Sequence, residues 1–374
     1  MAEISRRTLL WGGLAAAGVL ATGCGQNVDS KFLEGKKEPT QPPPSTPPPA
    51  PPPVWPLTGK PLPDEAAGKH AAVAVKVPDN KYEHPQSGIN DADLVFVQLD
   101  GYVDSSGQSA TRLMPVFHTT LPEGVIPVRS IRPVDVPLLA PIGAVVGNTG
   151  GAQWVVNYAE KYSDHLDVSQ TYMETRGTGS YSIDGSRVYT YDGQKKYDRA
   201  VVAHPKVLSQ RNEKFAQGPA KPYLPFAVGD DKPSTENGNA ARQVEVPWKR
   251  NDAYTMRYEF DEGAGLYRRF MPWGEHTLVD GEQVTTENIL VIRAEVTTEK
   301  IFEGKGGAEP IHGIMSAKGA FTYCHGGKAV TGTWAKGEVQ EPFTFTLDDG
   351  SPLKIAPGRT FVELPYEESE VRLS

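Results

Sequence analysis

The stretch Val125–Gly151, VIPVRSIRPVDVPLLAPIGAVVGNTGG, decides the fold class of the first half of the chain. Pro133 suits the first position of a helix, and Pro141 ends the helix-sized segment that follows. Ala144–Val146 then predicts a short buried strand, and the loop Asn148–Gly151 precedes apolar residues at helical spacing. The order of strand, glycine loop and helix indicates an α/β arrangement.

Three apolar runs ahead of this stretch predict further strands. Ala71–Val77 is rich in valine, and Leu94–Leu99 is almost continuously apolar, as expected for a strand that is buried on both faces. Thr111–His118 contains Pro115, which predicts a bulge or an edge position. We therefore expect an α/β (or α+β) domain at residues 56–213.

The remainder of the chain predicts a second, mainly antiparallel β domain at residues 240–366. Gly177–Arg199 suggests loops, short hairpins or a lid, and Val201–Gln210 a short helix that opens near His204-Pro205. Lys214–Asn239 is polar and rich in proline and glycine, which is typical of a domain boundary. Predicted strands separated by turns follow at Val244–Trp248, Tyr254–Asp261, Leu266–Met271, Asn288–Val296, Gly319–Tyr323, Lys328–Trp334, Phe343–Leu347 and Thr360–Leu364.

Composition limits the classes of function. Among 374 residues, 38 are glycine and 33 are proline, so strands and turns should outweigh helices. The net charge of −8 argues against nucleic acid as a partner, because binding to phosphates needs a basic surface. The eight histidines are scattered and form no H-E-x-x-H motif, so we expect no metal site and no cofactor.

Residues 1–24 predict a lipoprotein signal peptide of the twin-arginine type. Arg6 and Arg7 precede the apolar run Leu9–Leu20, which is too short to span a bilayer. The sequence LATGC that ends at Cys24 resembles a lipobox, in which the cysteine carries lipid. We expect Cys24 to hold the chain on the extracytoplasmic face of the cell membrane, with a plain secretory signal cut near Ala21 as the alternative.

Residues 25–55 predict a linker between this anchor and the first domain. Nine of the thirteen residues from Gln41 to Pro53 are proline, which favours a semi-rigid polyproline II segment.

Cys324 is the other cysteine of the chain, and a lipid on Cys24 leaves it without a disulfide partner. Its neighbour His325 makes it a weak candidate for a nucleophile or a metal ligand. A lone cysteine in a strand is more commonly a small buried apolar residue.

Arg129 and Arg132 are the strongest candidates for ligand binding. Guanidinium groups bind carboxylate or phosphate through paired, charge-assisted hydrogen bonds. Ser130 lies between them, and the loop Asn148, Thr149, Gly150 and Gly151 precedes a predicted helix, where backbone N–H groups can cradle an anion. We expect one shared pocket for an anionic cell-wall component. Pairing of each arginine with a local acid such as Asp135 or Asp93 is the alternative.

An enzymatic function needs an acid–base pair or a nucleophile. Asp100 with His118 is the weak candidate pair for hydrolysis of a wall polymer; Asp93, His204 and Ser130 are further candidates. Ser130 lacks a G-x-S-x-G elbow. A structural or solvated role is the alternative for each of them.

Aromatic residues of the second domain give a third interpretation. They could form the core or an exposed face for sugar rings or an envelope protein partner, with the core favoured for two of them, Tyr258 and Trp334. The residues are Trp248, Tyr254, Tyr258, Tyr267, Trp273 and Trp334.

A set of short motifs carries a resemblance to a known family. The motifs are Pro56–Gly59, Pro85–Gly88, Thr111–Arg112, Pro127–Pro133, Asn288–Val291, Gly332–Trp334, Asp349–Gly350 and Pro357–Thr360. With these motifs at this spacing, the chain resembles the YerB-like lipoproteins of Gram-positive bacteria over nearly all residues after the linker. The resemblance implies a lipoprotein with two consecutive domains of unknown function.

The chain departs from the family pattern at two places. Phe96-Val97 stands where the family usually has a tyrosine–glutamate pair, and Asn148 stands where it usually has a histidine. If those positions are catalytic in the relatives, this chain lacks that chemistry. We expect non-catalytic recognition of an anionic cell-envelope ligand. A cell-wall hydrolase and a structural lipoprotein that binds a protein partner are the alternatives.

Overall fold

The structure, a computed structural model, describes residues 53–101, 110–248 and 254–374. The predicted signal segment, Cys24 and all but the last residues of the linker lie outside the described residues. The described residues belong to one compact unit. None of their helices has the length and apolar character needed to cross a membrane.

The described residues of the first half form short strands and three short helices. The helices are α1 (Asp135–Leu139), α2 (Gln153–Glu160) and α3 (Pro205–Gln210). The strands are β1 (Ala72–Val75), β2 (Val77–Pro78), β3 (Leu94–Leu99), β4 (Thr111–Phe117), β5 (Ala144–Gly147), β6 (Leu166–Asp167), β7 (Tyr181–Ile183), β8 (Tyr189–Tyr191), β9 (Gln194–Lys196) and β10 (Val201–Ala203).

The second half is built from strands throughout its described residues. They are β11 (Asn239–Ala240), β12 (Gln243–Pro247), β13 (Thr255–Asp261), β14 (Leu266–Met271), β15 (Gly274–Glu275), β16 (Thr285–Thr286), β17 (Asn288–Ile292), β18 (Val296–Glu299), β19 (Glu309–His312), β20 (Ala317–His325), β21 (Lys328–Lys336), β22 (Thr344–Leu347), β23 (Thr360–Glu363) and β24 (Arg372–Leu373).

One twelve-stranded sheet runs through both halves. Its order is β11-β21-β20-β17-β23-β3-β4-β1-β5-β6, with β2 beside β4 and β22 beside β21. Strand β23, from the end of the chain, lies between β17 and β3 and is parallel to both. Because β23 joins strands of the two domains, the domains share one sheet, which the sequence did not predict.

The predicted fold class is confirmed. In the first domain β1, β5 and β6 are parallel neighbours, and α2 connects β5 to β6, as in α/β proteins. In the second domain the strand pairs are mainly antiparallel. Strand β3 is buried at every position, which explains its nearly continuous apolar sequence, and β23 beside it is also buried throughout, including Thr360 and Glu363.

A six-stranded antiparallel sheet packs over the shared sheet. Its order is β15-β14-β13-β12-β24, with β16 beside β14. Tyr258 of β13 lies edge-on to Phe361 of β23, with ring centroids 6.0 Å apart. The aromatic residues that could have formed an exposed face are core residues instead, because Trp248, Tyr254, Tyr258, Tyr267 and Trp334 have no exposed surface and Trp273 is half-buried.

Two local predictions needed correction, whereas the helix within Val201–Gln210 begins at Pro205 as expected, where proline suits the first helical turn. Val201–Ala203 ahead of it is a strand that pairs with β7. Asn288–Val296 is interrupted between β17 and β18. Pro115 does not lie at a sheet edge; it faces the interruption between β1 and β2, where no ladder bond requires its missing N–H.

Candidate functional site

Arg129 is paired with carboxylates of the protein. Its guanidinium contacts the Glu83 carboxylate, and Nη2 lies 3.3 Å from Oδ2 of Asp198. It also donates to the backbone oxygen of Asp198. Burial lowers the pKa of Arg129, and the charge of Asp198 opposes that shift. The side chain keeps 18% of its surface exposed, so it remains within reach of a ligand.

Arg132 lies in a different, more deeply buried ion cluster. Its Nη2 is 3.2 Å from Oδ1 of Asp100, and its Nε is 3.2 Å from Oε2 of Glu309. Arg112 contacts the same Asp100 carboxylate. Burial and the neighbouring Arg112 lower the pKa of Arg132, and the acids oppose this. Arg132 therefore joins the shared sheet to the β19 region.

In the loop Asn148–Gly151, the backbone N–H groups of Asn148, Thr149 and Gly150 are bonded within the protein. The amide of Asn148 donates to the Tyr181 hydroxyl at 3.0 Å, and that of Thr149 donates to the Arg129 oxygen at 3.1 Å. The amide of Gly150 donates to Oδ1 of Asn148 at 2.8 Å. The side-chain Nδ2 of Asn148 donates to the backbone oxygens of Val146 and Val168.

The amino-terminal end of α2 is likewise covered. The amide of Trp154 donates to the Lys305 oxygen at 3.2 Å, and Nε1 of the same residue donates to the Gly307 oxygen at 2.8 Å. The loop between β18 and β19 therefore occupies the end of α2 that was expected to face an anion.

The expected shared pocket is corrected by these contacts. The two segments do lie side by side, since Ile131 donates to Gly150 and the hydroxyls of Ser130 and Thr149 are 3.4 Å apart. However, both guanidiniums are turned to carboxylates in separate clusters. The alternative of pairing with acids describes the geometry, although the guanidiniums contact other acids than those expected. Asp135 forms its ion pair with Lys76 at 2.9 Å and accepts the backbone N–H of Arg132 at 2.6 Å.

Asp100 and His118 do not form an acid–base pair. Asp100 follows the end of β3 and His118 follows the end of its antiparallel neighbour β4. The two residues thus lie at opposite ends of a hairpin of roughly 20 Å, at about 3.4 Å per residue. His118 is buried and packs on Trp55 and His70, and burial lowers the pKa of its ring to about 4.

The other candidate catalytic groups have structural partners. Asp93 accepts the backbone N–H groups of His118 and Thr119. The two ring nitrogens of His204 contact the Glu123 oxygen at 2.6 Å and the Ser182 hydroxyl at 2.9 Å. Cys324 is fully buried, and burial raises the pKa of its thiol far above the ordinary range, as for a small core residue.

One cluster has the donor set of a metal site, which the sequence pattern did not indicate. Ligand atoms of Asp79, His84 and His276 lie within 4.8 Å of one another. The guanidinium of Arg269 occupies the same cluster, 2.6 Å from Nδ1 of His276 and 2.9 Å from Oδ2 of Asp79. Nε2 of His276 is 2.8 Å from Oε1 of Gln86. A cation already fills the cluster, so we interpret it as a buried polar network.

A different group of cations lies at the surface around Arg129. The positive charge of Arg199 contributes to lowering the pKa of Arg129 and the pKa of Arg187. Burial is the larger cause for both. Arg187 donates to the backbone oxygens of Pro85 and Glu83 at 2.7 and 2.8 Å. We call Arg129, Arg187, Arg199, Tyr189, Tyr191 and Lys196 the arginine–tyrosine surface.

The tyrosines of this surface belong to the hairpin β8–β9. The pairing is Tyr189 with Lys196 and Tyr191 with Gln194. The turn residues Asp192 and Gly193 have φ values of 50° and 71°, which matches the Asp-Gly preference of a tight hairpin turn. The Asp-Gly pair between alternating residues was a usable signal for this hairpin, but its contact with Arg129 was not visible in the sequence.

Comparisons with known proteins place the chain among proteins without an assigned activity. Residues 57–215 match the family described as protein of unknown function (DUF3048), N-terminal domain, and residues 244–362 match its C-terminal domain. A protein of Bacillus subtilis (strain 168) named "Putative lipoprotein YerB" is 26% identical over 320 residues, which are 83% of this chain and 85% of that protein.

The crystal structure of YerB protein from Bacillus subtilis has a similar fold. The TM-score is 0.62 at 20% identity, and the alignment covers 85% of this chain and 99% of that one. The name of the Bacillus subtilis relative indicates a lipoprotein.

Proposed function

The chain belongs to the DUF3048 family, and we propose that it is an exported lipoprotein that recognises an anionic ligand of the cell envelope without turning it over. The lipid on Cys24 holds it on the extracytoplasmic face, after export by the twin-arginine route. The pattern of residues 1–24 and the name of the Bacillus subtilis relative support this location.

The observation that carries the binding function is a surplus of cationic groups at the arginine–tyrosine surface. Three arginines and Lys196 lie there with three carboxylates: those of Glu83 and Asp198 contact Arg129, and the charge of Asp184 acts on Arg187. The net charge of the chain is −8, so a local excess of cations is not a consequence of composition. Arg129 is the one residue of the predicted pocket whose guanidinium lies at this surface.

Arg187 and Arg199 are the groups best placed to meet an anion. Among the described residues, neither forms an ion pair with a carboxylate. Arg187 donates to carbonyl oxygens, and Arg199 lies over the Tyr189 ring at 4.4 Å from its centroid. Carbonyl and ring partners position a guanidinium without a direct ion pair, and for Arg187 the charge of Asp184 opposes the effect of burial from outside ion-pair distance. An incoming phosphate or carboxylate therefore gains charge-assisted hydrogen bonds.

The test is binding of a sugar-free polyanion, polyglycerol phosphate, to the purified mature protein at several salt concentrations. We expect binding that weakens with salt, and a loss of about fivefold in affinity for each of Arg187→Ala and Arg199→Ala. Arg242→Ala is the matched control, because Arg242 is 57% exposed and pairs with Glu262 in the second domain.

Equal binding by the wild type and by the Arg187→Ala/Arg199→Ala double variant would show that these two arginines do not bind the ligand. Release of shortened polymer during the titration would instead indicate an enzyme.

A further inference from the structure

We propose that the ligand of the arginine–tyrosine surface is a glycan that carries phosphate or carboxylate groups, and that the hairpin β8–β9 supplies its sugar-stacking face. This inference rests on the proposed function and names the class of ligand. It depends on the tyrosines and on their register with Lys196, whereas the binding of anions in general depends on the arginines.

The register of the hairpin places aromatic and cationic groups on one face. Side chains alternate along a strand, so Tyr189 and Tyr191 point to the same side, about 7 Å apart. Their cross-strand partners, Lys196 and Gln194, share that side. Thr190 and its partner lie on the opposite side. Two rings, an ammonium and an amide therefore form one face, which fits sugar rings bearing an anionic group and hydroxyls.

The exposure of Tyr191 has no explanation in the packing of the fold. Its side chain is 69% exposed, the largest value among the exposed large apolar residues described. The hairpin forms a separate two-stranded sheet, and such hairpins are marginally stable alone. An aromatic ring that is held outward on a small projecting element is typical of a contact surface.

Tyr189 connects the hairpin to the arginines. Its hydroxyl donates to Oδ2 of Asp198 at 3.1 Å, and the same carboxylate pairs with Arg129. Its ring carries the guanidinium of Arg199 at 4.4 Å. The stacking face and the cationic cluster are therefore one continuous surface, so a polymer can place its rings on Tyr191 while its anionic groups reach the arginines.

The chemistry favours a glycan over other polyanions. The C–H groups of a sugar ring give it a weakly positive, apolar face that packs on the negative face of an aromatic ring. The Oε1 of Gln194 accepts from Nζ of Lys196 at 3.1 Å, and its amide N–H groups offer donors to hydroxyl groups.

The experiment compares three probes by titration calorimetry with the mature protein: polygalacturonate, a carboxylated glycan; polyglycerol phosphate, which has no sugar; and dextran, a neutral glycan. Tyr191→Ala should bind polygalacturonate about fivefold more weakly and polyglycerol phosphate as the wild type does. Tyr191→Phe keeps the ring, and Thr190→Ala alters the opposite face of the hairpin, so both should behave as the wild type. Dextran should bind far more weakly than polygalacturonate.

The outcomes separate the two proposals. If Tyr191→Ala leaves both polyanions unaffected, the stacking face is refuted while the anion-binding function stands. If it weakens the binding of both polyanions equally, the hairpin contributes to anion binding and does not recognise sugar, which also refutes the inference. If the wild type binds neither polyanion, both the proposed function and this inference are refuted.

Discussion

Nη2 of Arg269 lies 2.9 Å from Oδ2 of Asp79, and neither side chain has any exposed surface. Asp79 follows β2 in the first domain and Arg269 lies on β14 in the second, so this ion pair joins the domains inside the core. Burial alone would raise the pKa of Asp79, but Arg269 and His84 hold it well below its usual range. The carboxylate therefore stays charged and needs its partner.

Replacing Arg269 with Met should destabilise the protein by about 3–5 kcal/mol. The substitution leaves the Asp79 charge buried without its main partner, which is costlier than removing both charges. The neighbouring Arg268 is the matched control. It is 49% exposed and pairs with Asp261 at the surface, so Arg268→Met should cost less than about 1 kcal/mol. Urea unfolding measures both, and similar losses for the two variants would contradict the role of the buried pair.

Asp93 should make stability depend on pH in the direction opposite to most acids. Burial raises the pKa of Asp93 to about 6, against about 3.9 in an unfolded chain. Between these values the folded state binds more protons than the unfolded state, so its contribution to stability falls as the pH rises from about 4 to about 6.

Asp93→Asn removes this titration and keeps an oxygen for the amides of His118 and Thr119. Relative to the wild type, the variant should gain up to roughly 3 kcal/mol between pH 4 and pH 7. The buried His118 titrates in both proteins and cancels in the difference. Urea midpoints at the two pH values provide the measurement, and a constant difference between the proteins would show that Asp93 titrates normally.

Gly304 should tolerate no side chain, because its loop packs directly on α2. A Cβ atom there would lie 2.7 Å from the backbone nitrogen of Trp154, and its φ of +135° disfavours other residues. Gly304→Ala should therefore cost about 1–3 kcal/mol in the free energy of unfolding. Gly307→Ala in the same loop meets nothing within 4 Å and should change stability by less than about 0.5 kcal/mol. Equal urea midpoints for the two variants would mean that the loop is not tightly held.

Cys24 should be the site of lipid attachment, although it lies outside the described residues. Full-length protein from cells that are grown with labelled palmitate should carry the label and appear in the membrane fraction. Cys24→Ser should lose both properties, because the apolar run Leu9–Leu20 is too short to anchor the chain. Cys324→Ser should keep both, since Cys324 is fully buried. Retention of Cys24→Ser in the membrane fraction would point to another anchor.

The strands were predictable where burial leaves a local mark in the sequence, either an apolar run or an alternation. Leu94–Leu99 and Leu266–Met271 have the bounds expected from their sequences. Where neighbours decide, the sequence was less informative: the helix from Pro205 was predicted, but Val201–Ala203 is a strand because β7 is available to pair with it. The candidate site was less predictable, since a guanidinium is attracted by any carboxylate that the fold brings near.

The sequence by itself determined the fold class, the positions of most strands and the pattern of the signal segment, because these depend on residues close together in the chain. Only the tertiary structure decided which charged side chains are paired with one another. Arg129 meets Asp198 across 69 positions and Arg269 meets Asp79 across 190. Coulombic attraction depends on distance in space and on burial, and neither quantity is contained in the spacing of residues along the chain.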